Sequence, residues 1–146
     1  MTIVAWDGKT LAADKRMISS GLMRTCRKIW EYNGNLIAIT GDWDAGAELV
    51  AWFNAGADPA KFPDLARKDT ATLIVINAGG VWQYNAGPYG VLLECKQCAF
   101  GSGRDFAEAA MFLGKTAYEA VEVACNFQSD CGGGIDVLTL KTEEAP

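Results

Sequence analysis

Thr2-Ile3-Val4-Ala5-Trp6-Asp7-Gly8-Lys9-Thr10-Leu11-Ala12-Ala13-Asp14 is the stretch that decides the fold. Two short apolar runs, residues 3–6 and 10–13, flank Asp7-Gly8, a dipeptide favoured in two-residue hairpin turns. The device returns at once: residues 28–32, then Asn33-Gly34, then residues 35–40. The chain is therefore expected to open with two antiparallel hairpins.

Outward from there the pattern changes period. Asp42 or Asp44 can cap a helix whose apolar face is Ala45, Leu49, Val50, Trp52 and Phe53, with Gly56 as its stop. Residues 57–69 hold Pro59 and Pro63 and read as a charged loop with one short turn. Residues 72–77 are strongly β, Gly79-Gly80 turns them, and residues 81–85 return; residues 89–94 add a strand. After Phe100-Gly101-Ser102-Gly103 a helix is expected from Asp105, with Phe106, Ala109, Ala110 and Leu113 inward and Gly114 closing it. Thr116 with Glu119 forms a capping box that starts a last helix, whose face continues through Val121, Ala124 and Cys125. Gly132-Gly133-Gly134 ends that region, residues 135–140 form a final strand, and residues 141–146 a frayed tail. Helices arrive in two batches between groups of strands. That order predicts a layered α+β domain of face-to-face sheets with helices outside, one domain over residues 1–146.

Composition narrows the function. The net charge of −5 argues against binding driven by neutralising nucleic-acid phosphates. No apolar run reaches the ~18 residues of a membrane span, and no signal-peptide pattern opens the chain, so a cytosolic protein is expected. Cys95-Lys96-Gln97-Cys98 has the CxxC spacing of zinc ribbons and redox sites, and Cys125 with Cys131 could complete a four-thiolate zinc site. The second spacing is too long for the usual knuckle, and Cys125 reads as part of a helix face. The thiols are expected to be buried and inert.

The chain has no histidine. A hydroxyl nucleophile in such a protein needs a base other than imidazole. If Met1 is removed, Thr2 carries one, its own α-amine, a group with a pKa of roughly 7.7–8.0. By position alone Thr2 reads as a β-branched residue starting a strand; the rest of the chain reverses that reading.

Several separated pieces, in order, resemble the proteasome β subunits and the bacterial HslV-type peptidases, a family of N-terminal-nucleophile hydrolases. Thr2-Ile3-Val4-Ala5 and Leu11-Ala12-Ala13-Asp14-Lys15-Arg16 resemble the nucleophile strand and the return strand ending in an aspartate. Arg27-Lys28-Ile29 resembles the basic pair whose lysine is catalytic, Ile39-Thr40-Gly41 the turn into the first helix, and Phe100-Gly101-Ser102-Gly103 the Gly-Ser-Gly element. The resemblance implies a four-layer αββα sandwich of two antiparallel sheets with outer helices, no cofactor and no metal. It also implies a homo-oligomeric ring acting on peptides or unfolded proteins, served by a separate ATPase unfoldase. In that scheme Thr2 Oγ attacks a carbonyl, Lys28 beside it favours the alkoxide by its charge, and Asp14 holds Lys28 in place. Gly41 supplies an N–H to the oxyanion and Ser102 hydrogen-bonds the α-amine.

The departures are as informative. The family places an aspartate and a serine before a Gly-Gly pair; here the run is Gln128-Ser129-Asp130-Cys131-Gly132-Gly133, with Cys131 in the serine's place and Gln128 in the aspartate's. Asp130 can substitute as support for the amine only through a remodelled loop. The helix that usually follows the first has only residues 57–67 to form from, so one outer layer should be thin. Exposed Trp52 and Phe53 would then suit contact with another subunit. A threonine peptidase is the leading reading. A catalytically inactive ring-forming scaffold, or an amidohydrolase for a small non-peptide amide, are its alternatives.

Overall fold

The computed structural model describes residues 2–141. In chain order its elements are β1 (Ile3–Trp6), β2 (Thr10–Asp14), β3 (Arg16–Ser19), β4 (Leu22–Thr25), β5 (Ile29–Tyr32), β6 (Asn35–Gly41), α1 (Trp43–Asn54), β7 (Ala71–Asn77), β8 (Gly80–Tyr84), β9 (Val91–Leu93), β10 (Cys98–Gly101), α2 (Arg104–Phe112), α3 (Ala117–Phe127) and β11 (Ile135–Thr139). All strand pairs are antiparallel. One sheet runs β10-β1-β2-β11 and the other β5-β6-β7-β8-β9.

The two-residue period of the strands builds the layers. In β1, Val4 and Trp6 face the other sheet while Ile3 and Ala5 face α2 and α3. In β6, Leu36 and Ala38 face inward and Ile37 and Ile39 meet α1. β7 repeats this, with Ile74 and Ile76 between the sheets and Leu73 and Val75 outward. Three apolar cores result: one between the sheets, one under the α2–α3 pair and one under α1. The chain is an αββα sandwich. None of its described helices is long and apolar enough to cross a membrane.

Local chemistry sets the helix ends. Asp42 caps α1 by accepting from the Ala45 N–H at 2.9 Å. Thr116 and Glu119 make the expected capping box, each side chain accepting the other's backbone N–H, at 3.2 and 3.1 Å. Asp7 closes the first hairpin turn through Oδ1, which accepts from Lys9 and Thr10, and its Oδ2 accepts from the Ala117 N–H at 2.9 Å. The turn thus also fastens the start of α3.

Four expectations need correction. A hairpin unforeseen in the sequence, β3–β4, stands between the two expected ones and exposes Ile18, Leu22 and Met23. Residues 98–101 are a strand, and the one expected over 89–94 shortens to β9. The buried face of α2 is Ala107, Ala110 and Met111, not Phe106, Ala109 and Leu113. Gly103 is its N-cap, and the two helices press small residues together, leaving Phe106 to stack on Phe127 outside at 5.5 Å. Trp52, expected to be exposed, is buried. Two 3-10 turns, Pro59–Lys61 and Leu65–Lys68, occupy the place of the missing helix and lay Phe62 and Ala66 over it. Trp52 meets Phe62 and Tyr84 edge-on and donates from Nε1 to the Asp58 carbonyl at 2.8 Å. The tail reading falls, beyond Lys141, outside the described residues, as does Met1.

Candidate active site

Asp14 ends β2 opposite Ile135 of β11, with Thr2 just ahead of the adjacent β1. Its side chain is fully buried, and both oxygens are occupied. Oδ1 accepts from Lys28 Nζ at 2.9 Å and from the Ile3 N–H at 3.1 Å. Oδ2 accepts from the Gly132 N–H at 3.0 Å and the Arg16 N–H at 3.3 Å. One carboxylate therefore ties together β1, the basic segment before β5, and the glycine run. A carboxylate with four donors, one of them cationic, is a satisfied buried charge.

Thr2 is itself buried, held from the β10 side. Its N–H donates to Ser102 Oγ at 3.3 Å, and its carbonyl accepts from Ser102 Oγ at 3.4 Å and from the Gly103 N–H at 3.3 Å. Gly101 makes this approach feasible: its φ is +98°, and a Cβ there would collide with the Thr2 carbonyl oxygen. Gly41, φ +90°, ends β6 across the cleft, and a Cβ there would run into the Thr70 carbonyl.

Two open cavities meet at Thr2 and Gly41. One, of about 460 Å³, is also lined by Arg16, Met17, Cys26, Lys28, Trp43 and Asp130. The other, of about 370 Å³, has Thr40, Thr72, Gln83, Phe100, Ser102 and Arg104. The structure thus gathers Thr2, Lys28, Gly41, Ser102 and Asp130 around one cleft, with Asp14 buried behind Lys28. Asp130 reaches it as a wall of the first cavity, and Gln128 Nε2 donates to it at 3.5 Å. Cys131 Sγ lies 3.8 Å from Ser102 Oγ. Burial, and then the Asp14 carboxylate, raise this thiol's pKa above its ordinary value, against a smaller lowering from the Ser102 contact. The group beside Ser102 is therefore a neutral thiol.

Arg16 is the residue whose part the sequence left unassigned. Its guanidinium donates to the carbonyls of Ser129 at 2.8 Å and Cys131 at 3.3 Å, clamping the loop that carries Asp130. Its adjacency to Asp14 was the available signal. The cysteines, expected to be buried, divide: Cys98 and Cys131 are buried, Cys26 and Cys125 half-buried, and Cys95 exposed. Among the described residues no three His, Cys, Asp or Glu side chains come together to hold a metal.

No protein-family model matches the chain, and no curated protein matches it. Solved structures do, and they define its class of fold: the αββα sandwich of HslV-type proteins. In particular, the chain is similar to eukaryotic HslV from Trypanosoma brucei, with a TM-score of 0.74 and 18% identity over 97% of this chain and 99% of that one. It is also similar to Thiobacillus denitrificans BPH in complex with epoxomicin, with a TM-score of 0.72 and 20% identity over 97% and 100% of the two chains. A second BPH structure gives 0.71 and 20% over 98% and 100%.

Proposed function

We propose that this chain is a threonine endopeptidase in which Thr2, made N-terminal by loss of Met1, is the nucleophile. The observation that supports this best is the placing of Thr2 between two cavities, with the Asp14–Lys28 pair on one side and Ser102 on the other. Thr2 Oγ attacks the scissile carbonyl carbon, and its proton passes to the free α-amine. The C–N bond breaks, the leaving amine takes that proton, and an acyl ester remains on Thr2. Water then attacks the ester, giving up a proton through the same amine and releasing the acid.

Lys28 lends positive charge to the alkoxide and Asp14 fixes its position. Gly41 contributes its N–H to the oxyanion, and Ser102 orients the amine. Asp130, held by the Arg16-clamped loop, takes the part of support for the amine from across the first cavity. Assembly into a ring around the active sites, and delivery of substrate by an ATPase partner, extend this reading through the family resemblance.

The test is intact-mass spectrometry before and after incubation with epoxomicin. The expected result is a chain lacking Met1 that gains the inhibitor's mass on Thr2, with no gain for Thr2→Ala. Retention of Met1, or equal labelling of Thr2→Ala, would defeat the reading and favour the inactive scaffold.

A further inference from the structure

Cys95 and Cys98 form a motif that the Thr2 cleft leaves unused. They bracket Lys96-Gln97, the bend between β9 and β10. β9 edges one sheet and β10 the other, so this short loop is where the chain crosses the sandwich. Cys98 lies in the core between the sheets, opposite Trp6 of β1 in the ladder. Cys95 is exposed. Both side chains are free thiols, and Cys95 is near enough to Cys98 to raise its pKa, after the larger effect of burial. The loop is seated, too: the Lys96 carbonyl packs on Gly8 of the first hairpin turn, 3.1 Å from where a Cβ would stand.

One open thiol and one sheltered thiol, on either side of a bend at CxxC spacing, are arranged for exchange rather than for packing alone. We propose that Cys95 and Cys98 are a thiol–disulfide exchange site for small-molecule disulfides, with Cys95 the attacking and Cys98 the resolving thiol.

In the first step Cys95 gives its proton to water and its Sγ attacks one sulfur of R–S–S–R. That S–S bond breaks, and R–S⁻ leaves and takes up a proton, which puts a mixed disulfide on Cys95. In the second, Cys98 gives its proton to water and attacks Cys95 Sγ, expelling the other R–S⁻. The protein pair is oxidised by two electrons and one small disulfide is reduced to two thiols, so hydrogens and electrons balance. The order follows from access: a dissolved disulfide reaches Cys95, whereas Cys98 is sheltered. Burial and then the neighbouring Cys95 raise the Cys98 pKa, with a smaller push from Glu108. Capping Cys95 removes its share of that shift, and burial keeps the rest. Closure then ties the crossover between the two sheets.

The inference is independent of the Thr2 reading. The test treats the reduced full chain with excess oxidised glutathione, alkylates under denaturing conditions, and maps the peptides by mass. The expected product has lost two hydrogens, with Cys95 and Cys98 protected together and Cys26 still alkylated. Cys98→Ala should hold glutathione on Cys95, Cys95→Ser should leave Cys98 reduced, and Thr2→Ala should behave as the unaltered chain does. Alkylation of both cysteines after treatment, glutathione retained on Cys95 of the unaltered chain, or pairing of Cys95 with another cysteine would overturn the proposal.

Discussion

The Lys28 ammonium sits 2.9 Å from the Asp14 carboxylate, with the two side chains 5% and 0% exposed. So sheltered a couple is costly to break from one side, because the charge left behind cannot recover its water. Lys28→Met should therefore lower unfolding stability by about 3–5 kcal/mol in urea titrations, apart from any effect on activity. A loss below about 1 kcal/mol would mean that the three backbone N–H donors to Asp14 suffice without the lysine.

Cys131 offers Ser102 a weak, neutral hydrogen-bond partner at 3.8 Å. Cys131→Ser would supply a hydroxyl of ordinary strength, a gain on the order of 1 kcal/mol in ordering Ser102 and the Thr2 nitrogen. Covalent labelling of Thr2 by epoxomicin should then speed up about fivefold. An unchanged or slower rate would show that the thiol is not what limits the cleft.

Gly41→Ala tests a backbone constraint. An alanine at φ +90° is strained, and its Cβ meets the Thr70 carbonyl. We expect a stability loss of about 1–3 kcal/mol together with loss of Thr2 labelling. Gly21→Ala, also at positive φ but with open space around it, should share the strain and keep the labelling. Equal labelling in both variants would remove Gly41 from the site.

Alkaline pH should weaken the fold. Burial raises the pKa of Cys98 and Cys131, and of Cys125 to about 11, from an ordinary 9.0. The unfolded chain releases these protons first. Stability is therefore full below pH 9.0 and is lost as pH rises through the folded value of about 11. Urea midpoints at rising pH should show the decline, and Cys125→Ala should shrink it. A flat profile would refute the assignment.

Removing the α3 cap should cost about 1 kcal/mol in Thr116→Ala. In the folded chain, hydrogen bonds from the Thr116 backbone and hydroxyl lower the Glu119 pKa. That contribution is present above the ordinary carboxylate pKa of 4.5 and lost as pH falls through the folded value. The variant keeps the Thr116 N–H but lacks its hydroxyl, so the gap between variant and parent should narrow, without closing, in acid thermal melts. A gap unchanged by acid would assign the whole cost to the contact between the Thr116 hydroxyl and the Glu119 N–H.

Reading the fold from sequence worked where the chemistry is local. Asp7-Gly8 and Asn33-Gly34 announce their turns, and Thr116 with Glu119 its cap, because each depends on neighbours a few residues apart. The face of α2 was missed because its alanines and Met111 are chosen by α3 and β1, elements distant in sequence. Trp52 was misjudged for a similar reason: Phe62 covers it from a segment that looked like a loop. The cleft residues were legible one by one, but the four-donor shell of Asp14 was not. Three of its donors are backbone groups, at Ile3, Arg16 and Gly132, and no side-chain pattern reports them.

The fastening of Asp7 to Ala117 has a consequence for how this chain can change over time. Thr2 reaches Ser102 only because counting along β1 starts from a hairpin tip pinned at its far end. One residue inserted at Asp7-Gly8 would swing Thr2 to the opposite side of its sheet and drive Trp6 in among the alanines. Substitutions can accumulate on the outer surfaces, but the length of that tip is the dimension the molecule is least free to alter.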